Sequence, residues 1–238
     1  MPRALIVIDM QRGFDDLDFW GPTANPDCER NVTALIEAWQ REGEPIVVVR
    51  HDSASPGSPL HPDEGGNALV DAVAKVSADL RVTKNVNSAF YGDPDLHAWL
   101  GENGIRELVI CGIQTNMCVE TTARMAGNLG YEVTVVLDAT RTFDLSGEVA
   151  GLGTVTRTAA ELMANTAVVL QQGGFARIAA TVDLAPPPPP PGASRGRRHL
   201  ASGLVSVGAR GVGLAASCRL ARGRRQCRRS IVSSTHRD

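Results

Sequence analysis

Short aliphatic runs alternate along this chain with longer segments bearing helix-capping signals. The alternation predicts an α/β fold of three layers, α/β/α, around a central parallel sheet of about six strands. Three observations carry that prediction. Ala4 to Ile8, Ile46 to Val49 and Leu108 to Ile110 are unbroken apolar runs, as expected of strands covered on both faces. Between them, helix-length segments open on Asn-Pro-Asp or Asp-Pro and close on glycine. The connections are long enough for right-handed crossovers between parallel strands.

In chain order, Ala4 to Ile8 ends in Asp9. Asn25-Pro26-Asp27 then starts a helix, with Asn25 as N-cap and proline in the first turn; Ala34, Leu35, Ala38 and Trp39 give it an apolar face and Gly43 closes it. After the strand Ile46 to Val49, the loop from His51 to Gly66 is long and rich in Ser, Pro and Gly, which marks a functional loop. Leu69 to Val76 reads as a short helix, and Arg81 to Lys84 as a short strand delivering Lys84. Asp93-Pro94 opens a helix that Gly104 ends. Leu108 to Ile110 leads through a tight turn to Cys118 and a helix from Val119 to Leu129, closed by Gly130. A strand from Tyr131 to Leu137, a helix from about Gly153 to Asn165 and a last strand from Ala167 to Leu170 complete the expected order.

The formal net charge of −2 over 238 residues hides a division. Up to Leu184 the chain has 13 Lys+Arg against 25 Asp+Glu, a balance of −12, while from Ala185 onward 11 Arg face one Asp. The boundary is marked by six consecutive prolines, Pro186 to Pro191, which favour an extended spacer. The expected organisation is therefore a domain over 1–184 and a Pro-rich linker with an Arg-rich, disordered tail over 185–238. With no aromatic residue to stack on bases, the tail gives no reason to expect nucleic-acid binding. The five cysteines, at 28, 111, 118, 218 and 227, show neither zinc nor disulfide spacing, and the N-terminal apolar run of five residues is too short for a signal peptide or a membrane span. A cytoplasmic protein without membrane attachment is the expectation.

Asp9, Lys84 and Cys118 each fall at or near the carboxyl end of an expected strand, where open α/β sheets bind ligands. They could converge in one crevice. Each also has a plain explanation: Asp9 as a turn residue, Lys84 as a solvated lysine, Cys118 as a small core residue. Yet Lys84 is one of only two lysines in the chain, and Cys118 stands where a helix N-terminus favours an anion, hence a thiolate.

Three stretches, ALIVIDMQRGF at 4–14, KNVNSAFYGDPDL at 84–96 and CGIQTNMCVETTARMAGNLGYEVTVVLDAT at 111–140, resemble the isochorismatase-like cysteine hydrolase superfamily. The likeness runs from about residue 3 to 171 and is strongest toward streptothricin hydrolase-type members. It implies the three-layer fold and a cysteine-dependent amidohydrolase that cleaves an amide or lactam through a thioester, with the streptolidine lactam of streptothricin as the suggested bond. Asp9, Lys84 and Cys118 become the catalytic triad, with Lys84 and the helix end lowering the thiol pKa and Asp9 accepting its proton. A cis peptide is implied at Ile113-Gln114, and the N–H groups of Gln114 and Cys118 become the oxyanion hole. Phe14, Asp15, Asp16, Phe90 and Tyr91 are candidate substrate contacts, the two acids on charge.

No cofactor is implied. The metal-binding members carry an Asp-x-His-x(5)-His set that His51-Asp52-Ser53 and His61 do not reproduce, so no metal site is expected. Retention of the cysteine favours carbon–nitrogen bonds over the vinyl ether of isochorismatases. The acidic balance, with Asp15, Asp16 and Asp18 beside the Asp9 motif, suits a cationic small-molecule substrate. A homo-oligomer is the expected assembly, and another small amide as substrate or a non-catalytic binding module of the same fold are the alternatives.

Overall fold

The computed structural model of the chain describes residues 2–186; the expectations for the remainder of the tail lie outside them. Its strands are β1 (Arg3–Ile8), β2 (Thr23–Ala24), β3 (Ile46–His51), β4 (Leu80–Lys84), β5 (Glu107–Ile113), β6 (Glu132–Phe143), β7 (Leu145–Val149), β8 (Gly153–Arg157) and β9 (Arg177–Ala179). The α-helices are α1 (Leu17–Trp20), α2 (Cys28–Glu42), α3 (Asp71–Ala74), α4 (Leu96–Glu102), α5 (Glu120–Asn128), α6 (Ala159–Gln172) and α7 (Thr181–Leu184).

The main sheet runs β4-β3-β1-β5-β6, and the outer side of β6 is shared by β9 and β2. All pairings are parallel except the two-residue β2, which lies antiparallel to the end of β6. The expected parallel sheet is thus present with one short antiparallel addition. Side-chain alternation along each strand divides the interior in two. Leu5, Val7, Val48, Val109 and Cys111 pack with Val32, Leu35 and Trp39 of α2, while Ile6, Ile8, Val47, Val49 and Ile110 pack with Leu96 and Leu100 of α4 and with Ala123 and Ala126 of α5. Two cores on opposite faces of one sheet are the three layers.

Several local expectations need correction. Asn25 does not cap α2. That position belongs to Asp27, and Asn25, at φ 63°, instead donates from its amide to the carbonyls of Asp138 and Thr140. Helix α4 starts at Leu96 with the Asp95 carboxylate accepting from the N–H of Ala98, two residues later than Asp93-Pro94 suggests. The helix expected from about Gly153 is displaced: 145–157 forms the β7–β8 hairpin, and α6 begins after Thr158, whose hydroxyl and the Glu161 carboxylate form a capping box. Ala167 to Leu170 is no strand but part of α6, and the last strand is β9.

Among the described residues, no helix is long and apolar enough to cross a membrane.

Candidate active site

Four adjacent strands, β4, β3, β1 and β5, bring their carboxyl ends to one place. Each ends in, or leads directly to, a residue able to do chemistry: Lys84 closes β4, His51 closes β3, Asp9 follows β1, and Cys118 lies in the π-helical turn Thr115–Val119 after β5. The parallel register sets His51 opposite Lys84. Geometry at the β5 end comes from Gly112, whose φ of 118° and approach to Ile8 leave no room for a side chain: a Cβ there would lie 2.0 Å from the Ile8 carbonyl oxygen. The peptide bond Ile113–Gln114 is cis, and the Gln114 carbonyl accepts from the N–H groups of Met117 and Val119, which closes the turn that carries Cys118.

The ammonium of Lys84 sits at the centre, 2.5 Å from Asp9 Oδ2, 3.1 Å from His51 Nδ1 and 3.4 Å from Cys118 Sγ. Its side chain and that of Asp9 are wholly buried, and Cys118 is 7% exposed. Asp9 adopts φ 50°, a left-handed conformation that costs a non-glycine residue about 1–3 kcal/mol and is typical of functional positions. Its second oxygen, Oδ1, is buried without a hydrogen-bond partner among the described residues, which leaves one acceptor site open for a proton.

Burial raises the Asp9 carboxyl above the ordinary aspartate range, against the opposing pull of Lys84. The thiol departs from expectation. Burial first, and then the Asp9 charge, push Cys118 up to about 12, and the nearby Lys84 ammonium only partly offsets them. The resting sulfur therefore carries its proton, and Lys84 serves to hold the anion once Asp9 has removed that proton. His51 is pushed down to about 4 by burial and by Lys84, so its imidazole is neutral at physiological pH.

The five expected substrate contacts are placed as follows. Phe14 is buried between the rings of Trp20 and Phe143. Phe90 is buried against Tyr131, whereas its neighbour Tyr91 is 71% exposed. Asp15 pairs with Arg141 at 3.0 Å, and Asp16 accepts from the N–H of Phe19 at the start of α1. Two of the acids held to attract a cation thus have local partners.

Two neighbours of the cluster were assigned no role in the site from the sequence. His51 is one. The other is Asn87, whose amide oxygen lies 3.8 Å from the Cys118 sulfur on the exposed side of the site. A strict β3–β4 register could have found His51, but no spacing rule reaches Asn87. His61 stays on its loop, where its Nδ1 accepts from the N–H of Asp63. One donor atom each of Asp9, His51 and Cys118 lie within 4.8 Å of one another, close enough to hold a metal ion. Lys84 contacts all three, so a cation could enter only by displacing the ammonium.

Residues 3–167 match the Isochorismatase domain. The chain belongs to the isochorismatase family. It is 38% identical over 143 residues to the uncharacterized isochorismatase family protein YrdC of Bacillus subtilis, an alignment covering 60% of this chain and 75% of that one. The crystal structure of a putative hydrolase of the isochorismatase family from Chromobacterium violaceum superposes with a TM-score of 0.69 at 36% identity, over 77% of this chain and 91% of that one. Streptothricin hydrolase of Streptomyces noursei is 32% identical over 146 residues, 60% of this chain but 51% of the longer enzyme. The expected closeness to that branch is therefore reduced to a partial, distant similarity. The family is one of hydrolases, and its more distant members here include a nicotinamidase and an amidohydrolase.

Proposed function

We propose that this chain is a cysteine-dependent amidohydrolase acting on a small amide or lactam. The observation that carries the reading is the meeting of Asp9, Lys84 and Cys118 around one buried ammonium. As the sulfur approaches the substrate carbonyl, the Asp9 carboxylate takes the thiol proton and Lys84 stabilises the sulfur anion. Backbone N–H groups of Gln114 and Cys118 hold the developing oxyanion, an interaction whose loss typically slows such reactions by about 100- to 1,000-fold. Protonated Asp9 then gives its proton to the leaving nitrogen. A thioester remains, and water activated by Asp9 hydrolyses it, returning the thiol and the carboxylate.

Three points support this assignment. A thiol beside a carboxylate whose pKa burial has raised suits acyl transfer, where one group must first accept and then return a proton near neutral pH. The family provides hydrolases of carbon–nitrogen bonds. A domain balance of −12 up to Leu184 favours cationic over anionic substrates, which makes the streptolidine lactam of streptothricin the first substrate to try.

The test incubates the full chain with streptothricin, nicotinamide and simple lactams and follows each by mass spectrometry. Addition of one water to a member of the panel, absent with Cys118→Ala, is the expected result. Hydrolysis of nicotinamide alone would move the substrate class to linear aromatic amides. Turnover that persists in Cys118→Ala would overturn the cysteine mechanism. A full panel without turnover, together with tight binding of any member, would turn the reading to a non-catalytic binding module.

A further inference from the structure

The strands that build the site are contiguous, yet the triad uses only three of the four. Lys84 comes from β4, Asp9 from β1 and Cys118 from the turn after β5; β3, between β4 and β1, contributes His51. We infer that His51 is a positioning residue of this site, a neutral imidazole that holds the Lys84 ammonium in line with Asp9 and Cys118. This inference rests on the amidohydrolase reading for its effect on turnover, but its geometry stands independently.

An ammonium has three N–H donors and accepts nothing. The Lys84 side chain is wholly buried, so each donor left without a partner would carry a full desolvation cost. Asp9 Oδ2, His51 Nδ1 and Cys118 Sγ supply three acceptors, one per hydrogen. Remove His51 and the ammonium keeps two. It can then turn about its last bonds toward the carboxylate, its strongest partner, and away from the sulfur that it must stabilise.

The contact with Lys84 also fixes the tautomer. Because the ammonium can only donate, Nδ1 must be the unprotonated ring nitrogen, and the neutral ring then carries its proton on Nε2. The charged groups facing the ring are Lys84 from β4, Asp9 from the end of β1, and Asp52 beside it in sequence. Asp52 is itself engaged by Arg50 and by the Asn67 amide, so it does not compete for the ring.

His51 is held for this task from behind. The Gln11 carboxamide grips its backbone at both ends, with Nε2 donating to the His51 carbonyl at 2.9 Å and Oε1 accepting from its N–H at 2.9 Å. The buried Asn67 amide donates to the same carbonyl, to Asp52 and to the carbonyl of Leu60, which pins the loop after β3. The strand end is fixed by two buried amides, an expensive arrangement for a residue without a role.

The test compares full-length wild type with His51→Leu, which removes the acceptor, and His51→Asn, whose side-chain oxygen can stand near the place of Nδ1. Two quantities are read: the rate of Cys118 alkylation by iodoacetamide at fixed mildly alkaline pH, by peptide mass spectrometry, and kcat and KM on whichever amide is turned over. Thermal melting checks that each variant folds. His51→Leu is expected to slow alkylation about tenfold, the equivalent of one pK unit. It should also lower kcat about 10- to 100-fold with KM nearly unchanged, as for a misaligned group. His51→Asn should recover most of both.

Unchanged or faster alkylation in His51→Leu would overturn the inference, as would equal defects in the two variants. Slowed alkylation in an enzyme that hydrolyses no amide would leave the His51 role standing while the amidohydrolase reading fails. Normal turnover with unaltered alkylation would do the reverse. Should His51→Leu not fold, imidazole nitrogen-15 shifts of the wild type decide the matter. An unprotonated Nδ1 and a protonated Nε2 that persist well below pH 6 support the role; a proton on Nδ1, or titration at the ordinary histidine pKa, refutes it.

Discussion

Cys111 and Cys118 stand on either side of the same cis-peptide turn, and both are buried, yet they occupy different chemistry. Cys111, inside β5, faces the α2 core, and its thiol lies 3.9 Å from the Ile6 carbonyl, to which it can donate. Burial first, and then the neighbouring Cys28, push its thiol well above the ordinary cysteine range. Cys118 faces the opposite core and is raised too, but it shares its burial with a base and a cation. The difference teaches that burial makes both thiols inert by default, and that only a proton acceptor with a raised pKa and a fixed ammonium can recover a nucleophile from one of them.

The largest expected contrast follows directly. Cys118→Ala should abolish turnover while the fold persists. Cys111→Ala should leave kcat nearly unchanged and cost about 1 kcal/mol of stability for the lost packing. Steady-state kinetics with urea denaturation of both variants would show it, and a comparable loss of kcat in the two would erase the distinction.

Asp9→Asn removes the acceptor at almost constant volume and should lower kcat by about 100- to 10,000-fold. The pH dependence gives the sign. Asp9 must be ionised to take the proton, and its pKa is raised, so the wild-type rate should fall as pH drops through a limb above the ordinary aspartate value of 3.8. In the asparagine variant that limb should disappear. A wild-type limb at or below the ordinary aspartate range would show that burial does not govern this carboxyl. Lys84→Met tests the other partner. Losing the cation that contacts the sulfur should slow Cys118 alkylation about tenfold or more at fixed pH, with Cys111 unaffected.

Between the two cysteines, Gly112 tests whether the turn itself can be altered. A methyl group would meet the Ile8 carbonyl at a φ of 118°, so Gly112→Ala should destabilise the protein by about 2–4 kcal/mol. The same shift of β5 against β1 should carry Cys118 away from Asp9. A folded, fully active alanine variant would show that the strand ends tolerate what their geometry forbids.

How far this could be read from the sequence depended on whether each feature was written in local pattern or in pairing. β1, β3 and β5 are aliphatic runs buried on both faces, and Gly43 and Gly130, both with positive φ, end their helices where the pattern puts them. The helix–strand ambiguity of short apolar runs misplaced Ala167 to Leu170, which α6 absorbs, although the Thr158…Glu161 capping box was the signal for its true start. The β7–β8 hairpin, exposed along most of its length, lacks the burial alternation that marks a strand in sequence. Asp9, Lys84 and Cys118 were legible because strand ends are predictable positions. The raised thiol pKa was not, because it depends on how completely the finished fold removes water. His51 required the β3–β4 register, and Asn87 the path of a loop.

The smallest expected effect is the one that separates an ammonium-centred site from a metal-centred one. Asp9, His51 and Cys118 could coordinate a zinc-type ion by residue type and proximity, and only the position of Lys84 argues otherwise. An ammonium 2.5 Å from the carboxylate and 3.4 Å from the sulfur occupies the space and the charge balance that a divalent cation would need. Dialysis against a strong chelator should therefore leave kcat and the alkylation rate of Cys118 unchanged, and added zinc should inhibit, if it acts at all, by displacing Lys84. Loss of turnover on chelation, restored by zinc, would instead make His51 a ligand and Lys84 a bystander. The comparison of the two cysteines would then rest on coordination rather than on proton transfer.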